Sequence, residues 1–545
     1  MVLASYQLGQ NTVFYVRNRD KSVGLCICPS DRVQQLNFDD FNTESMIQVK
    51  FSSDASFIEF GEGLTMLSSF SVHDMSIVKQ EMNGHTITTV LCDQRHNEYT
   101  HYLLFHAESN VFETYITYAN RSQEERELEH LSAFSLSGIK SLKDAKKTVE
   151  GCKLHRLLSF WSAEGRKVTD NFEDLGLEDS WGNQGARTER FGQVGSMPVR
   201  KYFPFASVEE PSGVCWTVNF EAPYSWQTEV FVINGCATLA GGLADYDFGH
   251  WKKKIAAGQT FTTRRAFFSV DYGFESTCAN LVDFYNRRLK VPESEEHLPV
   301  ICNEYCTTYG NPDENRVKEL ARKAKDLGAE YFIIDAGWYK KPGINWCYSI
   351  GDWQESEEFF PSGLKNLVSY IKDLGLRPGI WFEYENCAID SEIYHKTDWL
   401  LKRNGIPIND KYRRFFDLRK QEVKDYIDEK VFLFLADTGF EYIKVDYNGN
   451  YGRGCDGAES EGEAGRQVAE ESMALYEKLA RAVPGLVIEN CASGGHRLEP
   501  ARMQMASMAS FSDAHECIEV PVIAANVSRI IPRRQNQIWA TLKNT

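Results

Sequence analysis

Residues Phe440–Asn448 read FEYIKVDYN, and this stretch decides the fold of the chain. Ile443 and Val445 favour a strand, with Phe440 and Tyr442 expected to pack between helices. The run then stops at a carboxylate, Asp446, before a polar, glycine-containing loop. An acidic residue at the C-terminal mouth of a buried strand is where (β/α)8 barrels place their chemistry. The same aspartate could simply cap a turn, so the reading depends on what the neighbouring strand ends supply.

From Pro299 onward the sequence alternates strand, loop and amphipathic helix. Strands are expected in PVICNEY, AEYFIIDAG, RPGIWFEYE, FEYIKVDY, LVIENC and ASMASFSD. Helical spacing fills DENRVKELARKAKDLG, GLKNLVSYIKDLG, KQEVKDYIDEKVFLFLADTG and AGRQVAEESMALYEKLARAVPG, each closed by a glycine suited to a C-cap. Alternating β/α units imply a parallel sheet covered by helices. Six strands are clear and NQIWATL is a doubtful seventh. The barrel is therefore expected to end before an eighth strand, with the natural protein continuing beyond Thr545.

Residues 1–290 differ. Short alternating runs such as NTVFYVRN, HTITTVLCD, ETYITYAN and TEVFVINGC are separated by Gly, Asn, Asp and Ser. That rhythm predicts an antiparallel β-sandwich. The helical stretch STCANLVDFYNRRL and the acidic segment VPESEEHLP then lead into a catalytic domain, residues 291–545. The fold class is multi-domain, β plus α/β.

Composition narrows the function. A net charge of −17 argues against nucleic acid as a partner. No stretch approaches the roughly 20 apolar residues of a membrane span, so no membrane partner is expected. The start of the chain carries no signal-peptide pattern. The 14 cysteines are scattered without ligand spacing, so no metal and no cofactor are expected and a cytoplasmic location is the natural reading.

The strand ends carry Asn303, Glu304 and Tyr305; Asp335 and Trp338; Trp381 and Glu383; Lys444 and Asp446; Glu489, Asn490 and Cys491; Ser512 and Asp513. Asp352 and Trp353 follow in a loop after the second strand. Paired carboxylates, aromatic rings and no metal pattern point to glycoside hydrolysis. Asp446 fits the nucleophile, with Lys444 two residues away on the same strand face. Asp513 fits the acid/base.

These residues resemble glycoside hydrolase family 36, the α-galactosidases. The likeness rests on ELARKAKDLGAEYFIIDAGWY, GDWQESEEFFPSGLKNLVSYIKDLGLRPGIWFE, YIKVDYN, ENCASGGHRLEP and SFSDAHE, in the family's order and spacing. It implies an N-terminal β-supersandwich, a catalytic barrel and a retaining two-carboxylate mechanism without a metal. Carried over by position, it makes Asp446 the nucleophile and Asp513 the acid/base. It places Asp335, Trp338, Asp352, Trp353, Trp381, Lys444, Asn448, Cys491, Gly494 and Arg497 around the sugar.

Departures from the family pattern are Ala336 for an aspartate, Val445 for an indole, Gly449 for an arginine and Tyr384 for a proline. His496 and Glu499 alter the stretch after the C-x-x-G motif. They suggest a remodelled, trimmed sugar pocket. The leading expectation is an exo-α-galactosidase acting on small oligosaccharides, with a homo-oligomer as an open state. The rivals are an α-N-acetylgalactosaminidase, a transglycosylase and a non-catalytic glycan-binding relative. His496 and His515 are expected to be loop residues, Trp216 and Trp226 to be sandwich core, with a site role open for Trp226.

Overall fold

The computed structural model describes residues 1–541 except 20, 39–42, 56–64, 74, 144–147, 180–184 and 234. The N-terminal half is built from a seven-stranded and a ten-stranded sheet among the described residues, almost wholly antiparallel. Period-two sequence becomes period-two burial: Thr86–Cys92 and Asn97–His106 alternate strictly between buried and half-exposed positions. One face of each packs into the sandwich core, as an antiparallel sheet requires. The helix Phe274–Arg288 lies on strands Val214–Phe220 and Ala266–Tyr272 before the chain enters the second domain.

The second domain is a parallel sheet of Ile301–Asn303, Tyr331–Ile334, Arg377–Phe382, Tyr442–Val445, Val487–Asn490 and Met508–Ala509, in that spatial order. All six strands expected from the sequence form. The doubtful seventh appears only as one bridge, Asn536 beside Ala509; Leu542 at its end lies outside the described residues. The helices Glu314–Asp326 and Leu364–Asp373 cover the sheet, as do Phe434–Thr438 and Glu461–Ala482. Gly328, Gly375, Gly439 and Gly485 each follow a helix with positive φ, the conformation for which glycine is suited.

Register explains where the chemistry sits. Asn303, Ile333, Gly379, Tyr442 and Val487 are cross-strand partners. Tyr331, Ile333, Tyr442, Val487 and Met508 form a cluster of their own inside the sheet. Tyr442 therefore faces the barrel interior, not the helices; Ile443 and Val445 are the residues packed against the helical layer with Phe440. Gly379 is needed because a Cβ there would lie 2.3 Å from Ile333 Cδ1. Two residues further along each strand, Trp381, Lys444, Glu489 and Met508 form the next row. Strand periodicity thus carries the inward face to Asp446.

The two domains are locked at the N-terminus of the long helix Glu461–Ala482. Its cap, Ser460, exchanges hydrogen bonds with the backbone of Lys252. Glu463, fully buried, accepts from Trp251 Nε1 at 2.8 Å, Lys253 Nζ at 2.9 Å and the Arg466 guanidinium at 2.7 and 2.8 Å. Burial opposes ionisation of Glu463, but these two cations outweigh it and hold its carboxyl down at about 2. Its stabilisation is present above the ordinary glutamate range and lost as pH falls toward 2. Glu463→Ala should cost about 3 kcal/mol in urea unfolding at pH 7. The gap from wild type should narrow below pH 4; a gap unchanged between pH 7 and pH 3 would contradict the ion-pair account.

Candidate active site

Asp446 is 8% exposed, so its charge must be met by donors within the protein. Four converge on it. Trp381 Nε1 and Asn448 Nδ2 reach Oδ2 at 3.1 and 2.7 Å. The backbone N–H groups of Tyr447 and Ser493 reach Oδ1 at 2.7 and 3.2 Å. The donors come from the third strand end, the loop after the fourth and the turn after the fifth. Asn448 is itself gripped, because its backbone and side-chain nitrogens both donate to Glu383 at 2.9 Å and Ser493 Oγ donates to its carbonyl. Glu383, wholly buried, also takes Arg413 Nε at 3.0 Å and Nη2 at 3.2 Å. It both anchors the network and pairs with a base.

Lys444 donates to Asp335 Oδ2 at 3.1 Å and lies 4.9 Å from the centre of the Trp539 ring. Burial works against its ammonium. The charges of Asp335, Glu489 and Asp446 outweigh that, and Lys444 keeps its proton well above the usual lysine range. Asp335 also takes Asn303 Nδ2 at 2.6 Å and the Ala336 N–H at 2.8 Å. Beside it, burial and the Asp335 charge push the Glu304 carboxyl up to about 8, so Glu304 carries its proton at neutral pH.

The remaining sugar-site candidates divide. Cys491 and Gly494 sit in the turn that also carries Ser493 between the two carboxylates. A Cβ on Gly494 would lie 2.5 Å from the Asp513 backbone nitrogen, so only glycine allows this approach. Trp338 is fully buried, stacks on Phe434 and donates to the Trp381 carbonyl at 3.0 Å. It is core. Trp353 is buried among Trp338, Tyr339, Trp381 and Phe382, and Asp352 accepts the N–H groups of Glu392 and Ile393. Both shape the wall from behind. Arg497 has its guanidinium on Glu385 at 2.6 and 3.2 Å, on the Ser196 carbonyl and over the Tyr447 ring at 3.3 Å. In this structure Trp338, Asp352 and Arg497 direct their polar groups to protein partners, and Trp353 packs among rings.

Asp513 is half-buried, and its Oδ2 accepts from Trp161 Nε1 at 3.1 Å. Burial first, then the Asp446 charge, raise its carboxyl above the ordinary aspartate range, which suits a group that must hold a proton. Trp161 belongs to the sandwich, at the tip of the hairpin Lys153–Phe160 and Ala163–Asn171. Glu164 from the same tip is fully buried; burial, with a further push from Asp513, raises its carboxyl to about 7. Neither residue stood out in the sequence, since an aromatic at a hairpin tip carries no local mark of its distant partner. Trp226, for which a site role was open, donates to the Pro198 carbonyl at 2.6 Å and is core, as is Trp216.

The departures prove mostly to be packing changes. Val445 faces the helices, Tyr384 is fully buried against Phe432, and a Cβ on Gly449 would lie 2.8 Å from the Phe415 ring. The trimmed pocket expected from Gly449 is thus filled by Phe415. Ala336 gives its N–H to Asp335 and packs its methyl group in the same core as Trp338 and Phe382. Glu499 caps the short helix Pro500–Met503 and also holds the Ala222 N–H. His496 is buried, donates to the Val199 carbonyl and is held down to about 4 by burial, whereas His515 is exposed.

A sandwich is thus joined to a barrel-type sheet, and one glycine turn links the carboxylates of Asp446 and Asp513. The melibiase family model matches residues 260–538, and the chain belongs to that family. The α-galactosidase Mel36A of Lactobacillus acidophilus is 28% identical over 301 residues, 54% of this chain and 40% of that protein. The α-galactosidase AgaA of Geobacillus stearothermophilus is 26% identical over 305 residues, 55% of this chain and 41% of that protein. The matched stretch thus spans about two fifths of these curated relatives. A crystal structure of a double variant of AgaA in complex with raffinose superposes with a TM-score of 0.81 at 18% identity. It covers 98% of this chain and 78% of that one; the likeness is one of fold.

Glu164 offers a test of the site's electrostatics. A carboxyl raised in the fold favours its protonated form, so the stability it lends is complete below its ordinary value and declines as pH rises toward 7. Glu164→Gln retains an acceptor for the Ser162 N–H and cannot ionise. The variant should match wild type at pH 4.5 and exceed it by roughly 2 kcal/mol at pH 8. Paired thermal melts across that range would show the divergence; parallel curves would mean that Glu164 is not held neutral.

Proposed function

We propose that the chain is a retaining exo-glycosidase that releases terminal α-galactosyl groups from small oligosaccharides. The observation that carries the reading is the turn Cys491–Gly494. Its Ser493 N–H holds one oxygen of Asp446 while Gly494 lies against the backbone of Asp513. One short segment thereby fixes a nucleophile and an acid relative to one another, a constraint that sugar binding alone does not need.

In this mechanism Asp446 attacks the anomeric carbon while protonated Asp513 gives its proton to the departing oxygen. A galactosyl ester forms on Asp446 and cancels its charge. Asp513, now ionised and relieved of that repulsion, takes a proton from water, which cleaves the ester and restores both groups. Lys444, Asp335 and Asn303 offer fixed donors and acceptors for sugar hydroxyls. Trp381 borders the nucleophile. A location in the cytoplasm is part of the proposal, supported by the 14 free thiols.

Galactose is favoured over N-acetylgalactosamine because Cys491 and Ala492 are buried and the space beside Gly494 is filled by Ser512 and Asp513. An acetamido group on that side would need the turn to open. The names of the relatives, all α-galactosidases among those given above, support the same sugar.

The deciding experiment compares aryl α-galactoside with aryl α-N-acetylgalactosaminide. The galactoside should be turned over with a bell-shaped pH profile. Its alkaline limb should lie above the ordinary aspartate range, because Asp513 is raised. Asp446→Asn should lose roughly 10⁴-fold or more in kcat while still binding sugar. Asp513→Ala should lose about 10²- to 10⁴-fold on a disaccharide but far less on an activated aryl glycoside. Preference for the acetamido sugar would overturn the substrate, and an unimpaired Asp446→Asn would overturn the mechanism.

A further inference from the structure

The hairpin that carries Trp161 is built to be held in place. Strands Lys153–Phe160 and Ala163–Asn171 pair to the last residue, Phe160 opposite Ala163, leaving Trp161 and Ser162 as a two-residue turn. Ser162 adopts φ +60° and its N–H is taken by the buried Glu164 carboxyl at 3.2 Å. Glu164 occupies the space beside Gly495, where a Cβ would lie 2.8 Å from Glu164 Cγ. One residue on, a Cβ on Gly165 would lie 2.8 Å from the Val527 backbone nitrogen. The hairpin therefore rests without a gap on the helix Glu519–Val527, which follows Asp513 in the chain.

At the tip this rigid seat presents an indole in an unusual state. Its edge is committed, through Nε1–H, to Asp513 Oδ2, yet the residue is 60% exposed. A large apolar ring held fixed and left open to water costs hydrophobic free energy unless something covers it. Its place says what. The acid/base gives its proton to the oxygen that joins the cleaved sugar to its leaving group. With Oδ2 occupied by the indole, Oδ1 is the oxygen free to hand over the proton. A ring tied to the acid flanks the leaving group, whereas Lys444 and Asp335 are tied to each other.

We propose that Trp161 is the floor of a leaving-group subsite. The sandwich domain supplies it to the barrel of its own chain, and a pyranose leaving group stacks on the indole face. The inference rests on the glycosidase reading above and deepens it by assigning the side chain that recognises the leaving sugar ring. Such a ring presents a face of C–H groups to the indole, while its hydroxyls stay in water. A small alkyl alcohol has no ring to stack and gains from Trp161 only the hydrogen bond that the indole gives Asp513.

The experiment uses a galactosyl-α-1,6-glucose disaccharide and methyl α-galactoside, with wild type, Trp161→Phe and Trp161→Ala. The side chain is exposed at a hairpin tip, so folding is not at stake. Read against Trp161→Phe, which loses the same N–H to Asp513, Trp161→Ala should raise KM for the disaccharide about ten times more than KM for the methyl glycoside. Trp161→Phe keeps a ring but loses the N–H, and should hold disaccharide KM within about threefold of wild type. Equal changes on both glycosides, or none on either, would overturn the subsite.

Binding separates this idea from the reaction itself. In the Asp446→Asn protein, calorimetric titration with the disaccharide should weaken about tenfold when Trp161→Ala is added. Undiminished binding in the double variant overturns the subsite whatever the turnover. Weakened binding in a wild-type background that shows no turnover would uphold the subsite and overturn only the reaction assigned to it.

Discussion

The structure of the second domain depends on keeping one buried carboxylate charged. Asp446 is almost shut off from water, and an ionised group in that position is tolerable only if donors replace the water it has lost. Two of its four donors are backbone N–H groups, which cannot be withdrawn without moving the chain. The others, the Trp381 indole and the Asn448 amide, are fixed by neighbours of their own: Tyr339 and Trp346 pack on Trp381, and Glu383 and Ser493 hold Asn448. Since these groups come from successive strand ends, the solvation of a single aspartate requires the register of three strands at once. A slip of one residue in any of them would turn its side chains to the helical face and strip donors from the charge.

This dependence explains what could be read from sequence and what could not. The barrel units were legible because each repeats a local pattern: a short apolar run, a polar end, an amphipathic helix and a glycine with positive φ. Asp446 and Asp513 were legible as carboxylates at the ends of such runs, within motifs of a known family, and the structure brings both to one turn. Side-chain direction was harder. Tyr442 looks as apolar as Phe440 and was assigned to the helical layer, but parity along the strand puts it with Lys444 and Asp446, inside. Trp338, Trp353 and Arg497 lie within the right motifs, yet their partners are distant in the chain: Phe434 for the first, Phe382 for the second, Glu385 for the third. A motif locates a residue near a site and leaves open whether its polar atoms face the substrate or the wall.

The sandwich contributes what local pattern could not show. Its hairpin tip is an ordinary two-residue turn by sequence, and only the docking of one domain on the other brings Trp161 to Asp513 and buries Glu164 beside it. The contact works because charge is kept low there. Glu164, pushed up to about 7, stays protonated through the mildly acidic range, so the hairpin does not add a third carboxylate to the repulsion between Asp446 and Asp513. Glu304, held up at about 8 beside Asp335, does the same on the other side of the pocket.

Neutral acids behind ionised ones make a coherent electrostatic design. The Asp446 charge helps raise the Asp513 carboxyl, and the proposed reaction uses one group charged and the other protonated. Any further unpaired negative charge in the wall would add to the push that already raises Asp513. The protein meets this in two ways. Where a wall carboxylate is ionised it is paired outright, Glu383 with Arg413 and Glu385 with Arg497, in buried ion pairs whose net field at the site is small. Where no cation is at hand, as for Glu164 and Glu304, burial keeps the proton on. The electrostatic setting of Asp513 is thus a property of the whole wall, and the sandwich hairpin is part of that wall.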